Sequence, residues 1–290
     1  MLAMPEDRLA AAEQALTEER GMVRSGVMEP FGKTIGEFRT LEFRNVSFRY
    51  PGTDRAILKN LSFRIQAGEK YAFVGANGAG KTTIIKLING LYQDYEGEIL
   101  VNGEDIRAFD RDFLSNVFQD FARYPLSVRD NITIGRKGEV TDEELNAAME
   151  EAGLLSIVEK LVDGVDTVLG KVKEDSGDLS GGEWQKIALA RCILSKAPVR
   201  ILDEPTSAMD PIYESAVYRR FQRISVGKTV ILVSHRLASV QMADFIYVID
   251  NGCVAEAGSH SRLMKEDGLY RKMYEEQAKW YVEEDVAYES

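Results

Sequence analysis

Histidine and cysteine are almost missing from this 290-residue chain, two of each. Cys192 and Cys253 stand far apart and outside any metal-binding spacing, which excludes a disulfide scaffold or zinc site and leaves both expected as reduced core thiols. Long apolar runs are lacking as well. Tyr71–Val74, Val230–Val233 and Phe245–Ile249 are strand-sized, far short of the roughly 18 residues a membrane helix needs. The N-terminal residues include Glu6 and Asp7 and no apolar stretch, unlike a secretion signal, so the cytosol is the expected compartment. Cations are outnumbered, 36 Lys and Arg against 47 Asp and Glu. The net charge of −11 argues against a nucleic-acid-binding surface, which needs clustered basic residues. What is present, 44% hydrophobic and 29% charged residues, is an ordinary globular composition for one large domain with a small appendage.

The organisation changes along the chain. In residues 1–40, Pro5 opens an expected helix that Gly21 stops after Arg20, and Gly26, Pro30, Gly32 and Gly36 mark a linker. A solvated leader and the stub of a longer segment leading to a membrane domain both fit this stretch. From Leu41 the pattern is that of a compact domain. Leu41, Phe43, Val46, Phe48 and Tyr50 alternate with one slip, and Leu61, Phe63 and Ile65 alternate cleanly, predicting antiparallel strands. Glu98–Val101 before Asn102-Gly103 predicts a hairpin, and Asn251-Gly252 repeats the signal. Asn116–Phe118, Val199–Asp203, Thr229–Ser234 and Phe245–Asp250 read as buried strands. Residues 141–162 read as helix, with a capping box from Thr141 to Glu144. The acidic end, from Glu283 onward within a tail at 279–290, is expected to be disordered.

The strongest chemical signal is Gly75-Ala76-Asn77-Gly78-Ala79-Gly80-Lys81-Thr82, which fits G-x-x-x-x-G-K-[ST] between an apolar strand and a helical pattern. Glycines let the backbone close around polyphosphate, so that N–H groups and a helix N-terminus face the anion. Gly75, Asn77, Gly78, Ala79, Gly80, Lys81, Thr82 and Thr83 are therefore the expected cradle of a nucleoside triphosphate. In it, Lys81 reaches the terminal phosphates and Thr82 offers its hydroxyl to Mg²⁺. A second anion-accepting helix start follows at Leu179-Ser180-Gly181-Gly182-Glu183. Two such starts cannot readily serve one γ-phosphate in a monomer, which points to sites completed across a dimer. Val199–Asp203 then ends in a carboxylate at the strand's C-terminal end, suited to hold Mg²⁺ through water, and Glu204 is next to it as a candidate base for an attacking water.

With phosphate loop, Leu179–Glu183 and the Asp203-Glu204 pair in this order, the chain from about Leu41 to Gln277 resembles the nucleotide-binding domain of ABC transporters. The resemblance implies a P-loop NTPase fold of α/β class: a RecA-like core with a mainly parallel sheet, an antiparallel β subdomain, and a helical subdomain at about 120–190 carrying the Ser180 signature, all within 41–278. It implies that Tyr50 stacks on adenine, that Gln119 touches Mg²⁺ and the attacking water, that His235 senses the γ-phosphate, and that Asp210 belongs to a loop reaching the opposite site. Val101–Ile106, Leu126–Ile132 and the ending with Gly258-Ser259-His260 resemble the exporter branch.

Catalysis on that pattern would rest on Glu204, His235, Lys81 and Gln119, with ATP and Mg²⁺ as cofactors and Thr82, Gln119 and Asp203 around the metal. The expected partners are a second copy or homologous cassette and the membrane domain of an exporter, at the cytoplasmic face of the cell membrane. Nucleic acid is not among them. Some positions depart from the family. Glu183 replaces a commoner glutamine, Met209 a commoner leucine, Arg200 interrupts an apolar strand near its start, where it is expected to reach solvent, and only Glu174 of Lys173–Asp178 aligns with the exporter coupling loop. The alternative is a soluble ABC ATPase acting on nucleic acid or ribosomes, which usually carries coiled-coil insertions, tandem cassettes or basic surfaces. A P-loop kinase is opposed by the signature and the Asp-Glu pair.

Overall fold

The computed structural model describes residues 32–118, 121–136, 138–170, 179–204, 227–234 and 240–288, with 280–288 as backbone only. The expected helix from Pro5 to Arg20 lies outside them, as do Gln119, Glu174, Met209, Asp210 and His235. In chain order the strands are β1 (Thr40–Arg49), β2 (Ala56–Gln66), β3 (Lys70–Val74), β4 (Glu96–Val101), β5 (Glu104–Asp105), β6 (Leu114–Val117), β7 (Val199–Asp203), β8 (Thr229–Val233), β9 (Phe245–Asp250) and β10 (Cys253–Gly258). The helices are α1 (Lys81–Ile88), α2 (Val128–Thr133), α3 (Asp142–Ala152), α4 (Leu155–Val158), α5 (Gly181–Leu194), α6 (His260–Leu263) and α7 (Leu269–Tyr288).

Two sheets result. One is antiparallel, ordered β2-β1-β4-β5. Its alternating residues pair across β1 and β2 as Leu41 with Ile65, Phe43 with Phe63, Val46 with Leu61 and Phe48 with Leu58, all buried. The register shifts between Phe43 and Val46, which is the slip visible in the sequence. The other sheet is ordered β10-β9-β3-β8-β7-β6, parallel except for the β10 edge. Its strands are apolar on both faces because both faces are covered. Tyr71 and Phe73 of β3 point into a core shared with the antiparallel sheet and α1, whereas Ala72 and Val74 join a core built with α3 and α5. Phe63 packs edge-on to Phe73 across the two sheets at 5.0 Å, and within the antiparallel sheet it stacks on Phe43 at 4.4 Å.

Four expectations need correction. The helical stretch 141–162 is broken, because Gly153 caps α3 at φ 70° and only Leu155–Val158 resumes as α4. The acidic end is helical to Tyr288. No glycine or proline follows Gly268, and glutamate favours helix. Arg200 does not reach solvent: it is 4% exposed and donates to the Ile193 carbonyl at 3.3 Å. Cys192 is buried as expected, but Cys253 is only partly so, because it begins the edge strand β10.

Both Asn-Gly turns form, with positive φ at both central residues, 55° and 87° at Asn102-Gly103 and 48° and 82° at Asn251-Gly252. The second also braces the phosphate loop. Gly252 N donates to Ala79 O at 3.2 Å and Gly252 O accepts from Lys59 N at 3.0 Å. A Cβ at position 252 would lie 2.1 Å from the Ile57 carbonyl oxygen. Gly252→Ala is therefore expected to destabilise the fold by at least about 1–3 kcal/mol, read as a lower urea midpoint. A midpoint equal to that of the parent protein would show that the turn has room to give.

Candidate functional site

Parallel strands β3, β8, β7 and β6 bring their carboxyl ends to one edge of the sheet, so Gly75, Ser234, Glu204 and Phe118 follow one another there. In register, Val233 lies beside Asp203 on one side and Phe73 on the other. The loop after β3 turns directly into α1, which Gly80 caps without a side chain. At Gly75, φ is 149° and a Cβ would sit 2.1 Å from the Ile249 carbonyl oxygen, so only glycine lets the loop pass this close to β9.

Lys81 is 5% exposed and its Nζ donates to the carbonyls of Gly75 at 2.7 Å and Ala76 at 3.0 Å. Burial pulls its pKa below the ordinary lysine value, while Glu204 and then Asp203 pull it back up. Asp203 is equally buried. Desolvation, then the Glu204 charge, pushes its pKa up to about 6, against the opposing influence of Lys81, Lys86 and the Thr82 hydroxyl bonded to it. Glu204 itself is held at φ 49°, its amide donating to the Val233 carbonyl at 2.9 Å. A buried carboxylate, bonded to an exposed hydroxyl and beside a lysine, suits a small hard cation and phosphate oxygens.

Tyr50 joins this corner through its hydroxyl, 2.9 Å from Thr83 Oγ1. Its ring packs edge-on to Phe48 and Tyr92 at 5.1 and 5.3 Å, with Lys86 Nζ 5.4 Å from its centroid. Lys86 and Tyr92 escaped the sequence reading. Lys86 stands one helical turn and a residue beyond Lys81, a spacing that could have drawn attention to it.

The structure thus brings Tyr50, Gly75 to Thr83, Asp203 and Glu204 together. It does not join Ser180, Gly181 or Gly182 to them. Among the described residues no hydrogen bond or ion pair links residues 180–182 to 75–83. Ser180 instead starts α5 in a capping box with Glu183. That helix packs on α3 and α2. Its Arg191 donates from Nε to the Asn131 carbonyl at 2.8 Å, with its guanidinium 5.4 Å from the Tyr124 ring centroid. Asn131, fully buried, donates from Nδ2 to the carbonyls of Tyr124, Leu126 and Ser127 at 3.0–3.1 Å.

The ABC transporter family model matches residues 58–207, from β2 through the Asp203-Glu204 pair. The chain belongs to the ABC transporter family. It is a nucleotide-binding domain of the exporter type, the ATPase module of that family. It is 39% identical over 238 residues to the ATP-dependent lipid A-core flippase of Haemophilus influenzae, matching 81% of this chain and 40% of that protein. It is 39% identical over 246 residues to the subtilin transport ATP-binding protein SpaT of Bacillus subtilis, covering 83% and 40% respectively. Among solved structures it resembles a bacterial Atm1-family ABC exporter with ATP bound, with TM-score 0.76 and 34% identity over 92% of this chain and 48% of that one. The chain thus spans less than half the length of these relatives. These relatives, a flippase, a transport protein and an exporter, favour the exporter reading over the soluble alternative. No helix among the described residues is long and apolar enough to cross a membrane.

Asp203 makes stability depend on pH. Its folded pKa of about 6 exceeds the ordinary 3.8, so its contribution favours folding below the ordinary value and is lost as pH rises through about 6. Asp203→Asn is expected to raise stability at pH 8 by on the order of 2 kcal/mol. It should also remove a loss of Mg²⁺-dependent nucleotide affinity of about tenfold per unit below pH 6. Denaturation and fluorescent-nucleotide titrations with and without EDTA check both. An unchanged stability would mean Asp203 is not strained by burial.

Proposed function

We propose that two copies of this domain, or one copy and a homologous cassette, close head to tail on two MgATP molecules and hydrolyse them to drive export through membrane-domain partners. Each nucleotide is held between one subunit's residues 75–83 and the other's Ser180, Gly181 and Gly182. The observation that carries this reading is the separation of two anion-accepting helix starts: Lys81, Thr82, Asp203 and Glu204 converge at one sheet edge, and Ser180 heads a different helix, with no hydrogen bond or ion pair to residues 75–83 among the described residues.

Within the site Tyr50 stacks on adenine, and the loop amides with Lys81 hold the phosphates and take up developing negative charge. Mg²⁺ fits Thr82 and Asp203, with Gln119 as a third oxygen, and supplies charge neutralisation at the phosphates. Glu204 orients and polarises the attacking water, His235 senses the γ-phosphate, and Asp210 reaches across to the opposite site. The pocket is therefore complete only in the closed pair, and the loss of γ-phosphate lets it open.

The partner face is supported by an apolar patch. Tyr124, Leu126 and Val168 are 37%, 39% and 49% exposed, and a Leu169 amide bond to Leu126 O at 3.0 Å fixes their segments side by side. An exposed apolar patch of this kind marks a docking surface, here for the membrane domain at the cytoplasmic face of the membrane. Residues 41–278 are the proposed cassette, and residues 1–40 the connection toward that partner.

Glu204→Gln is expected to retain ATP affinity while turnover drops about 10²–10³-fold, and a nucleotide-bound dimer should accumulate on size exclusion. Turnover at the parent rate, or a strictly monomeric protein trapped with nucleotide, would sink the paired-site mechanism.

A further inference from the structure

Ser180 has two donors, its amide and its hydroxyl, and Glu183 Oε2 accepts both at 2.8 Å. A serine hydroxyl has one proton. While that proton points at Glu183, Oγ offers only lone pairs, and it already accepts from the Glu183 amide at 3.4 Å. The Ser180 bonds, with smaller help from Lys186 and Lys160, hold the Glu183 carboxyl below the usual carboxylate range. It is therefore a full negative charge at neutral pH. A phosphate oxygen brought to Ser180 would meet a lone pair and a carboxylate where it needs a donor.

We propose that Glu183 is a positioning residue that occupies Ser180 in place of phosphate while the domain is open, so that releasing the hydroxyl from Glu183 sets the ATP concentration at which two copies close. This rests on the reading that Ser180 meets the γ-phosphate of the opposite site. The same contact stabilises the start of α5, since a carboxylate at the third helical position answers both the N-cap and the helix dipole. The open form is thereby favoured twice, by a satisfied helix end and by the absence of two anions at one serine. A glutamine can close the same capping box without the charge, which separates the two effects.

The test uses the full chain in a Glu204→Gln background, with MgATP titrated and dimer read by light scattering. Glu183→Gln is expected to lower the midpoint of dimer formation about fivefold, with the thermal unfolding midpoint lowered only slightly by the lost attraction of charge to helix dipole. Raising salt should narrow the gap between the two proteins, because it screens an exposed charge. Glu183→Ala, lacking both cap and charge, should unfold at a lower temperature yet still close at less ATP than its parent. An unchanged or higher midpoint in the folded Gln or Ala variants overturns the proposal and leaves the paired-site mechanism standing. A Glu204→Gln parent that never dimerises at any ATP concentration removes both.

Discussion

Two opposite charges, Lys81 and Asp203, are each 95% withdrawn from solvent (5% exposed) at one corner of the sheet, and the surrounding architecture answers that demand. An ammonium group taken out of water must find oxygens, and Lys81 finds them in the carbonyls of its own loop. That is possible only because the loop doubles back over the end of β3 at Gly75. Asp203 is less well served, as its raised pKa records. The corner is thus unevenly satisfied, with a buried carboxylate that a bound cation would neutralise. A stability cost accepted at such a place is characteristic of sites built to bind rather than to fold.

The rest of the molecule keeps that corner rigid. Alternating residues of β3 feed two separate cores, so the strand leading into the loop is clamped from both faces. The antiparallel sheet contributes Phe63 against Phe73 and, at its far end, Tyr50 against Thr83. The hairpin between β9 and β10 closes the underside through Gly252 and Ala79. These contacts brace β3, the loop and α1 in turn, each from a different element.

Local signals were legible in the sequence, and non-local ones were not. The phosphate loop, the Asn-Gly turns and the capping box at Thr141 depend on residues a few positions apart, and each formed as read, while at Ser180 the sequence marked a helix start and the structure adds its capping box with Glu183. The strand run Val199–Asp203 was legible from its apolar character alone. The burial of Arg200 was not, because it depends on the Ile193 carbonyl on the preceding helix. Lys86 and Tyr92 draw their significance from Tyr50, far away in the chain. Acidic composition predicts disorder beyond Glu283, yet nothing in Leu269–Tyr288 breaks a helix and the chain stays helical. Gly153 shows the converse, a single residue at positive φ dividing what periodicity ran together.

Arg191 ties two segments of the helical region together. Gripped by the Asn131 carbonyl and the face of Tyr124, it fastens the far part of α5 to the segment that Asn131 in turn stitches at Tyr124, Leu126 and Ser127. Two groups, one guanidinium and one buried amide, thus tie the helix that Ser180 begins to the segment whose Tyr124 and Leu126 stand exposed.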